Sequence, residues 1–91
     1  MEIKHDNNKF YVGDNSENTL AEVHYVPTGS TKLIADHTHV DDSLRGEGVG
    51  QKLVEQLVSY AREKEVKIVP LCPFVKSQFE KTPDYKDVWD K

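Results

Sequence analysis

The chain has 91 residues, enough for one hydrophobic core and too few for separate catalytic and substrate domains, so we expect one domain spanning residues 1–91. Its 16 acidic and 12 basic residues give a formal net charge of −4, which speaks against a nucleic-acid partner because such proteins normally carry a basic surplus. The one cysteine excludes an internal disulfide framework and fits a reducing compartment.

The N-terminal region predicts a short strand and a turn. Residues 1–6 lack the apolar core of a signal peptide, and no apolar run in the chain is long enough to cross a bilayer. We therefore expect a cytoplasmic protein without a membrane partner. Residues 9–12 are rich in strand-forming side chains, and the polar residues around Gly13, residues 13–18, predict the turn that follows.

Two longer strands follow and predict a hairpin. In residues 19–26, Ala21, Val23 and Tyr25 alternate with other side chains, as in a half-buried antiparallel strand. A turn leads into the second strand, residues 32–40. Strict alternation in that strand puts four side chains on one face: Leu33, Ala35, His37 and His39.

Three glycines at alternate positions, Gly46, Gly48 and Gly50, come directly before an amphipathic helix. Because glycine reaches positive φ at little cost, these residues let successive backbone N–H groups turn toward one bound phosphate. The helix N-terminus adds unpaired N–H groups and a positive dipole end, and Arg45 adds a charge at the rim. The alternative is a tight strand-to-helix turn beside an ordinary surface charge.

The second half of the chain predicts mainly helix. Residues 48–64 carry apolar side chains at helical spacing on one face. Residues 67–73 form a short apolar run typical of a buried parallel strand, but two prolines remove hydrogen-bond donors, so pairing should break near Cys72. A short helix over residues 74–80 and a helical turn over residues 83–89 complete the chain.

This order of elements resembles the GNAT superfamily of N-acetyltransferases. Its pyrophosphate motif has the form Gln/Arg-x-x-Gly-x-Gly/Ala, which residues 45–50 satisfy between a strand and a helix. Residues 37–40, 71–75 and 83–85 look like the small, single-domain acetyltransferase-like subfamily. The resemblance implies an α/β (α+β) fold with an antiparallel meander, a pyrophosphate loop and central helix, a splayed parallel strand and short C-terminal helices.

The resemblance also implies an acetyl-CoA site, and from the residues themselves we expect no metal. The pantetheine arm is expected between the end of strand 32–40 and the splayed strand, where backbone groups lack partners. Lys52 or Lys76 would supply charge toward the adenosine phosphate. The predicted cofactor-binding residues are Thr38, His39, Val40, Arg45, Gly46, Glu47, Gly48, Val49, Gly50, Gln51, Lys52, Leu71, Cys72, Pro73, Phe74 and Lys76.

The activity that the resemblance implies is transfer of an acetyl group to an amine acceptor of unknown identity. In direct transfer a base removes the ammonium proton and an acid protonates the leaving thiolate. His37 or His39 is the predicted base, and Cys72 or Tyr85 the predicted acid. Relatives often carry Glu where this chain has His39. Their helices between the first two strands, which help form the acceptor site, are here replaced by the turn at residues 13–18.

Two alternatives stay open. Cys72, activated by His37, could accept the acyl group and act as a carrier, although a free cysteine is as often a small buried apolar residue and a strand histidine as often a packed one. The chain could also be a non-catalytic acyl-CoA-binding module.

A metal site is less well supported by the sequence. His37 and His39 alone share one predicted strand face, which is too few ligands for zinc. We expect a monomer or weak dimer.

Overall fold

The computed structural model describes residues 2–90. No helix within this range is long and apolar enough to span a membrane. The elements in chain order are β1 (Lys4–Asp6), β2 (Lys9–Asn15), β3 (Asn18–Thr28), β4 (Lys32–Val40), a 3-10 turn (Asp42–Leu44), α1 (Val49–Lys64), β5 (Lys67–Pro70), α2 (Pro73–Lys81) and a C-terminal 3-10 helix (Pro83–Val88).

The five strands form one sheet in the order β1-β2-β3-β4-β5. The first four strands pair antiparallel as a meander, and β5 joins β4 in parallel after the crossover through α1. An antiparallel meander, a loop, a central helix and a parallel last strand match the predicted architecture. The α/β fold class predicted from the sequence is therefore confirmed.

Strand β1 was not predicted, because its three residues are all polar. His5 pairs with Phe10 in the register of β1 and β2, and its ring stacks on the Phe10 ring at 4.2 Å with an interplanar angle of 6°. His5 Nε2 also shares a hydrogen bond of 2.5 Å with the hydroxyl of Tyr25. Lys4 Nζ also donates to the carbonyl of Gly13 at 3.0 Å. Aromatic stacking and side-chain hydrogen bonds thus hold a strand that lacks apolar alternation.

The hydrophobic core lies between one face of the sheet and α1. The helix buries one stripe along its whole length, as the helical periodicity predicted. Val23 and Ala35 face it from the sheet and are fully buried. The buried stripe of α1 consists of Val49, Gly50, Leu53, Val54, Leu57, Val58 and Ala61.

A β-bulge in β4 changes which side chains face the helix. Tyr25 of β3 pairs with Ala35, but the next residue back, His24, pairs with His37, so β4 holds one extra residue at Asp36. Strict alternation fails at this point. The prediction that Leu33, Ala35, His37 and His39 share one face was therefore wrong.

Beyond the bulge, Thr38 and Val40 face α1, because they lie opposite the fully buried Val23 and Ala21. His37 and His39 lie on the opposite, helix-free face of the sheet and are exposed. One inserted residue thus moves both histidines out of the core face. It also brings a threonine hydroxyl into that face.

Strand β4 has two halves with different neighbours. Its paired half, residues 32–35, pairs with β3 on one edge and β5 on the other. The last pair with β5 is Ala35 with Pro70, and the amides of Leu71 and Cys72 both donate to the carbonyl of Ala35, at 3.0 and 2.9 Å. The open half, residues 36–40, continues beside β3 while the chain after β5 turns away into α2.

The tip of the β2–β3 hairpin folds back over the helix-free face. Lys9 Nζ donates to the carbonyl of Ser16 at 2.9 Å, although seven residues of extended strand would span about 23 Å. Asn7 Nδ2 donates to Ser16 Oγ at 2.6 Å, and Ser16 is only 4% exposed. Tyr11, which lies on this face opposite Glu22, is 5% exposed as a result.

Candidate functional site

A depression of about 490 Å³ opens where β4 ends and α1 begins. It connects the open half of β4, the glycine loop and the start of α2. All of its lining residues except Leu44 belong to the predicted cofactor-binding set. They are Val40, Leu44, Arg45, Gly46, Gly48, Val49, Gly50, Gln51 and Phe74.

The loop leaves the first amides of α1 without a cap. Gly46 and Gly48 adopt positive φ values of 84° and 72°, a region that other residues rarely enter. Gly48 is the N-cap of α1 and offers no side chain to the amides that follow it. The first turn of α1 also contains no acidic residue. Unpaired N–H groups and the positive end of the helix dipole therefore face the depression, which favours an anion there.

Gly50 serves close packing instead of a positive φ. It is a helical residue inside α1, so the expectation that it turns its amide through positive φ was wrong. A Cβ atom at this position would lie 2.7 Å from Cζ of Phe74. The missing side chain lets the Phe74 ring pack against α1, and this contact forms one wall of the depression.

The basic residues of the predicted set are spread out. Arg45 Nε lies 3.0 Å from Oδ1 of Asp42, with side chains 75% and 88% exposed, so this surface pair opens readily to a competing anion. Lys52 is exposed on α1. Lys76 lines a different depression, beside Trp89, and the structure does not bring it to the glycine loop.

Cys72 lies at the gap between β4 and α2. It is the N-cap of α2, with Pro73 at the first helical position, and its side chain is buried. Its Sγ donates to Thr38 Oγ1 at 3.3 Å, across the gap. His37 lies on the other face of β4, so the structure does not bring it to Cys72 as the acyl-carrier alternative would require. Leu71 is 64% exposed beside this gap.

The two predicted bases lie on the helix-free face. His37 is opposite His24, and His39 is opposite Glu22. His24 Nδ1 lies 2.7 Å from Oδ1 of Asp36, the residue inserted by the bulge. Within residues 2–90, no three histidine, cysteine, aspartate or glutamate side chains converge as a metal site would require.

Glu22 is a half-buried residue of this face that sequence reasoning did not single out. Burial alone would raise the pKa of Glu22, but hydrogen bonds from Thr19 and Lys9 and the charge of Lys9 outweigh it and lower the pKa. The nearby His37 lowers it further. Alternation in residues 19–26 already put Glu22 on the polar face of its strand, but only the register of β4 shows that it meets His39.

Tyr85 lies apart from the other predicted catalytic residues. Its ring packs 5.5 Å from the ring of Phe79, and it lines a depression shared with Glu55 and Arg62 on α1. Burial, and next the charge of Glu55, raise the pKa of Tyr85. The four residues predicted as catalytic thus occupy three places, and the structure does not gather them into one cluster.

Comparison with known proteins identifies the family. The family model for GCN5-related N-acetyl-transferases matches residues 9–88. The solution structure of a GCN5-like protein of Staphylococcus aureus, described as a candidate N-acetyltransferase, is 45% identical, with a TM-score of 0.83 over 98% of this chain and 87% of that one. The comparison with curated proteins found no match. The chain belongs to the GCN5-related N-acetyltransferase (GNAT) family, as residues 45–50 predicted.

A more distant solved structure shares the fold. The ribosomal-protein-alanine N-acetyltransferase from Brucella melitensis biovar Abortus 2308 is 20% identical, with a TM-score of 0.54. The match covers 80% of this chain and 59% of that one. The 91-residue chain thus shares its fold with part of a longer protein.

Proposed function

We propose that this protein binds acetyl-CoA in the depression at the glycine loop and transfers the acetyl group to an amine. The observation that carries this proposal is the uncapped N-terminus of α1, where Gly46 and Gly48 take positive φ and open the amides to an anion. Membership in the GNAT family supports acetyl-CoA as the donor. The proposed function does not depend on the basic residues alone or on the fold alone.

The residues present fit the parts of the ligand. The amides of Gly46 and of residues 48–51 suit a pyrophosphate, with Arg45 free to exchange Asp42 for it. Apolar side chains of Val40, Leu44 and Phe74 suit the pantetheine arm. The open half of β4 supplies strand backbone that β5 leaves unpaired, so the arm can bond there as an added strand would.

For direct transfer, the proposed base and the proposed acid lie on opposite faces of the open half of β4. The amine nitrogen attacks the thioester carbonyl, the C–N bond forms, the C–S bond breaks, and the ammonium proton passes to a base. His37 or His39 takes this proton on the helix-free face. On the other face, Cys72 is better placed than Tyr85 to return a proton to the leaving thiolate, because it borders the gap.

The position of Cys72 favours one competing function, an acyl carrier. Cys72 borders the gap where the thioester is proposed to lie, and a cysteine sulfur there can attack the thioester carbonyl. In that reaction the acetyl group moves to Sγ and CoA leaves as the thiol. The separation of the predicted catalytic residues favours a second alternative, a module that binds acyl-CoA without turnover.

Intact mass and initial rates separate these functions. Direct transfer predicts CoA release with a primary amine, no stable acetyl adduct, and a rate in Cys72→Ala reduced less than in the double variant His37→Gln/His39→Gln. An adduct of one acetyl group that is absent from Cys72→Ala would establish the carrier instead. Acetyl-CoA binding without turnover or adduct would establish the binding module.

We further propose that residues 1–91 act as one domain and that the protein works in the cytoplasm as a monomer or weak dimer. The single shared core supports one domain. Light scattering at micromolar and millimolar concentrations tests the assembly state, with the monomer mass of 10.4 kDa expected at the lower concentration. A stable higher oligomer at micromolar concentration would contradict it.

A further inference from the structure

Glu22, on the helix-free face of the sheet, is held in position by two neighbours that both contact the same carboxylate oxygen. The side chain of Glu22 is 13% exposed. Thr19 Oγ1 donates to its Oε1 at 2.7 Å, and Lys9 Nζ lies 3.4 Å from the same atom. Within residues 2–90, both hydrogen bonds that Glu22 accepts thus end on Oε1. Oε2 remains available to a further donor.

The neighbours of this carboxylate are the two predicted bases. Glu22 lies directly opposite His39 in the register of β3 and β4, and His37 is close enough to influence its charge. Cross-strand partners hold their Cβ atoms about 5 Å apart. A cation bound at Oε2 would therefore lie beside an imidazole that can take a proton from it.

Access to Oε2 is restricted on one side. The hairpin tip, fastened by Asn7 and Lys9 to Ser16, covers the part of the face over Tyr11. His37 and His39 are exposed on the other side. A ligand therefore reaches Glu22 from the open half of β4, which is the side where β5 departs and the thioester is proposed to lie.

Lys9 shows which kind of donor group the carboxylate of Glu22 binds. Its ammonium is a primary amine on a slender chain, and it approaches Oε1 of Glu22. The same ammonium donates to the carbonyl of Ser16 at 2.9 Å, which holds it under the hairpin tip. The site thus binds one ammonium internally and leaves a second acceptor position unfilled.

We propose that Glu22 docks the acceptor, and that the acceptor is a protonated primary amine at the end of a slender aliphatic chain. This inference rests on the proposed function. An aliphatic amine is charged at neutral pH and gains a charge-assisted hydrogen bond at Oε2, whereas an aromatic amine is neutral and gains less. Glu22 holds the ammonium, and His37 or His39 takes the proton that it must lose before attack.

Amide-shift titration with Nα-acetyl-lysine amide tests the docking without any turnover. We expect saturable shifts at residues 22, 37 and 39 in the protein without acetyl-CoA, and about tenfold weaker binding in Glu22→Gln. Glutamine keeps an oxygen for Thr19, so the variant should fold. Asp6→Asn, which alters an exposed carboxylate of the same face two strands away, is the matched control and should bind as the wild type does.

The neutral probe Nα,Nε-diacetyl-lysine amide should give no saturable shifts at these residues. The inference would be overturned if the neutral probe gave equal shifts, or if the charged probe gave no shifts. Because this titration needs no acetyl-CoA, its failure leaves the proposed function standing. Absence of acetyl-CoA binding would refute the proposed function and not the docking site.

Steady-state kinetics with the charged probe give a second readout. At saturating acetyl-CoA, Glu22→Gln should raise the KM for the amine about tenfold while kcat stays within about twofold, because the lost contact is present before and during reaction. Its affinity for acetyl-CoA should be unchanged. A fall in kcat with unchanged KM would overturn the docking role.

Discussion

The two halves of β4 show how one strand serves both stability and ligand binding. The paired half, residues 32–35, has neighbours on both edges and buries Leu33 and Ala35 in the core. The open half, residues 36–40, has a strand on one edge only and exposes His37 and His39. A one-residue bulge separates them. Side chains before it stabilise the fold, and backbone and side chains after it are left available to ligands.

The largest expected effect is a loss of stability caused by a substitution in the paired half. Leu33→Ala removes a side chain that is 5% exposed in the core, so it should lower the free energy of unfolding by about 3 kcal/mol. Urea unfolding followed by circular dichroism measures the change. The affinity of the folded variant for acetyl-CoA should stay within about twofold of the wild type. A large loss of affinity in fully folded Leu33→Ala would contradict the separation of the two halves.

The next largest effect is expected on the affinity for acetyl-CoA, from a substitution in the glycine loop that adjoins the open half. Gly46→Ala puts a side chain at φ 84°, where a Cβ meets nothing within 4 Å, so its cost is backbone strain of about 1 kcal/mol. The strained loop should bind acetyl-CoA about tenfold more weakly by isothermal titration calorimetry, since a charge-assisted hydrogen bond is weakened.

Gly29→Ala is the matched control for Gly46→Ala. Gly29 has φ 61°, and a Cβ there also meets nothing within 4 Å, but it lies in the β3–β4 turn. The two variants should lose similar stability, and only Gly46→Ala should lose affinity. Equal affinity in both would show that the glycine loop is only a turn.

A smaller effect is expected at the rim of the depression. Arg45→Gln removes an exposed guanidinium, so the affinity for acetyl-CoA should fall about threefold at low salt and less at high salt. Arg62→Gln removes an arginine whose partner is Asp87, in the C-terminal 3-10 helix. This control should leave the affinity unchanged. If Arg45→Gln lost the same affinity for acetyl-CoA at low and at high salt, that result would argue against a direct charge contact.

The smallest effect is a pH dependence next to the open half. The folded protein holds the pKa of Glu22 below the ordinary value of 4.5, so the charged form stabilises the fold. That contribution is present above the unfolded pKa and disappears as the pH falls through the folded one. Wild type should therefore lose its advantage over Glu22→Gln as the pH drops below about 4.5. Urea midpoints that stay equally separated at all pH values would contradict this.

The sequence predicted those parts of the fold that follow a regular period. The apolar spacing of α1 is helical throughout, so its bounds were found within one residue at its start. The motif at residues 45–50 located the loop and the family. Strand β1 was missed because Lys4, His5 and Asp6 carry no period, and only their contact with Phe10 and Tyr25 makes them a strand.

The bulge explains what could not be predicted about the site. Nothing in the local sequence around Asp36 marks an inserted residue, because its effect depends on the register against β3. A shift of one residue puts Thr38 instead of His37 on the face toward α1. Cys72 therefore contacts Thr38 and not His37. Glu22 is found only through the same register. Strand pairing, and not residue spacing, therefore decides which of these groups meet.

The most direct test is a titration of the 15N-labelled protein with acetyl-CoA, followed by amide shifts. We expect saturable shifts at residues 45–52, in the open half of β4 and near Cys72, with none in the paired half. Absence of shifts at millimolar ligand would contradict the central claim, and so would shifts that are confined to residues 32–35.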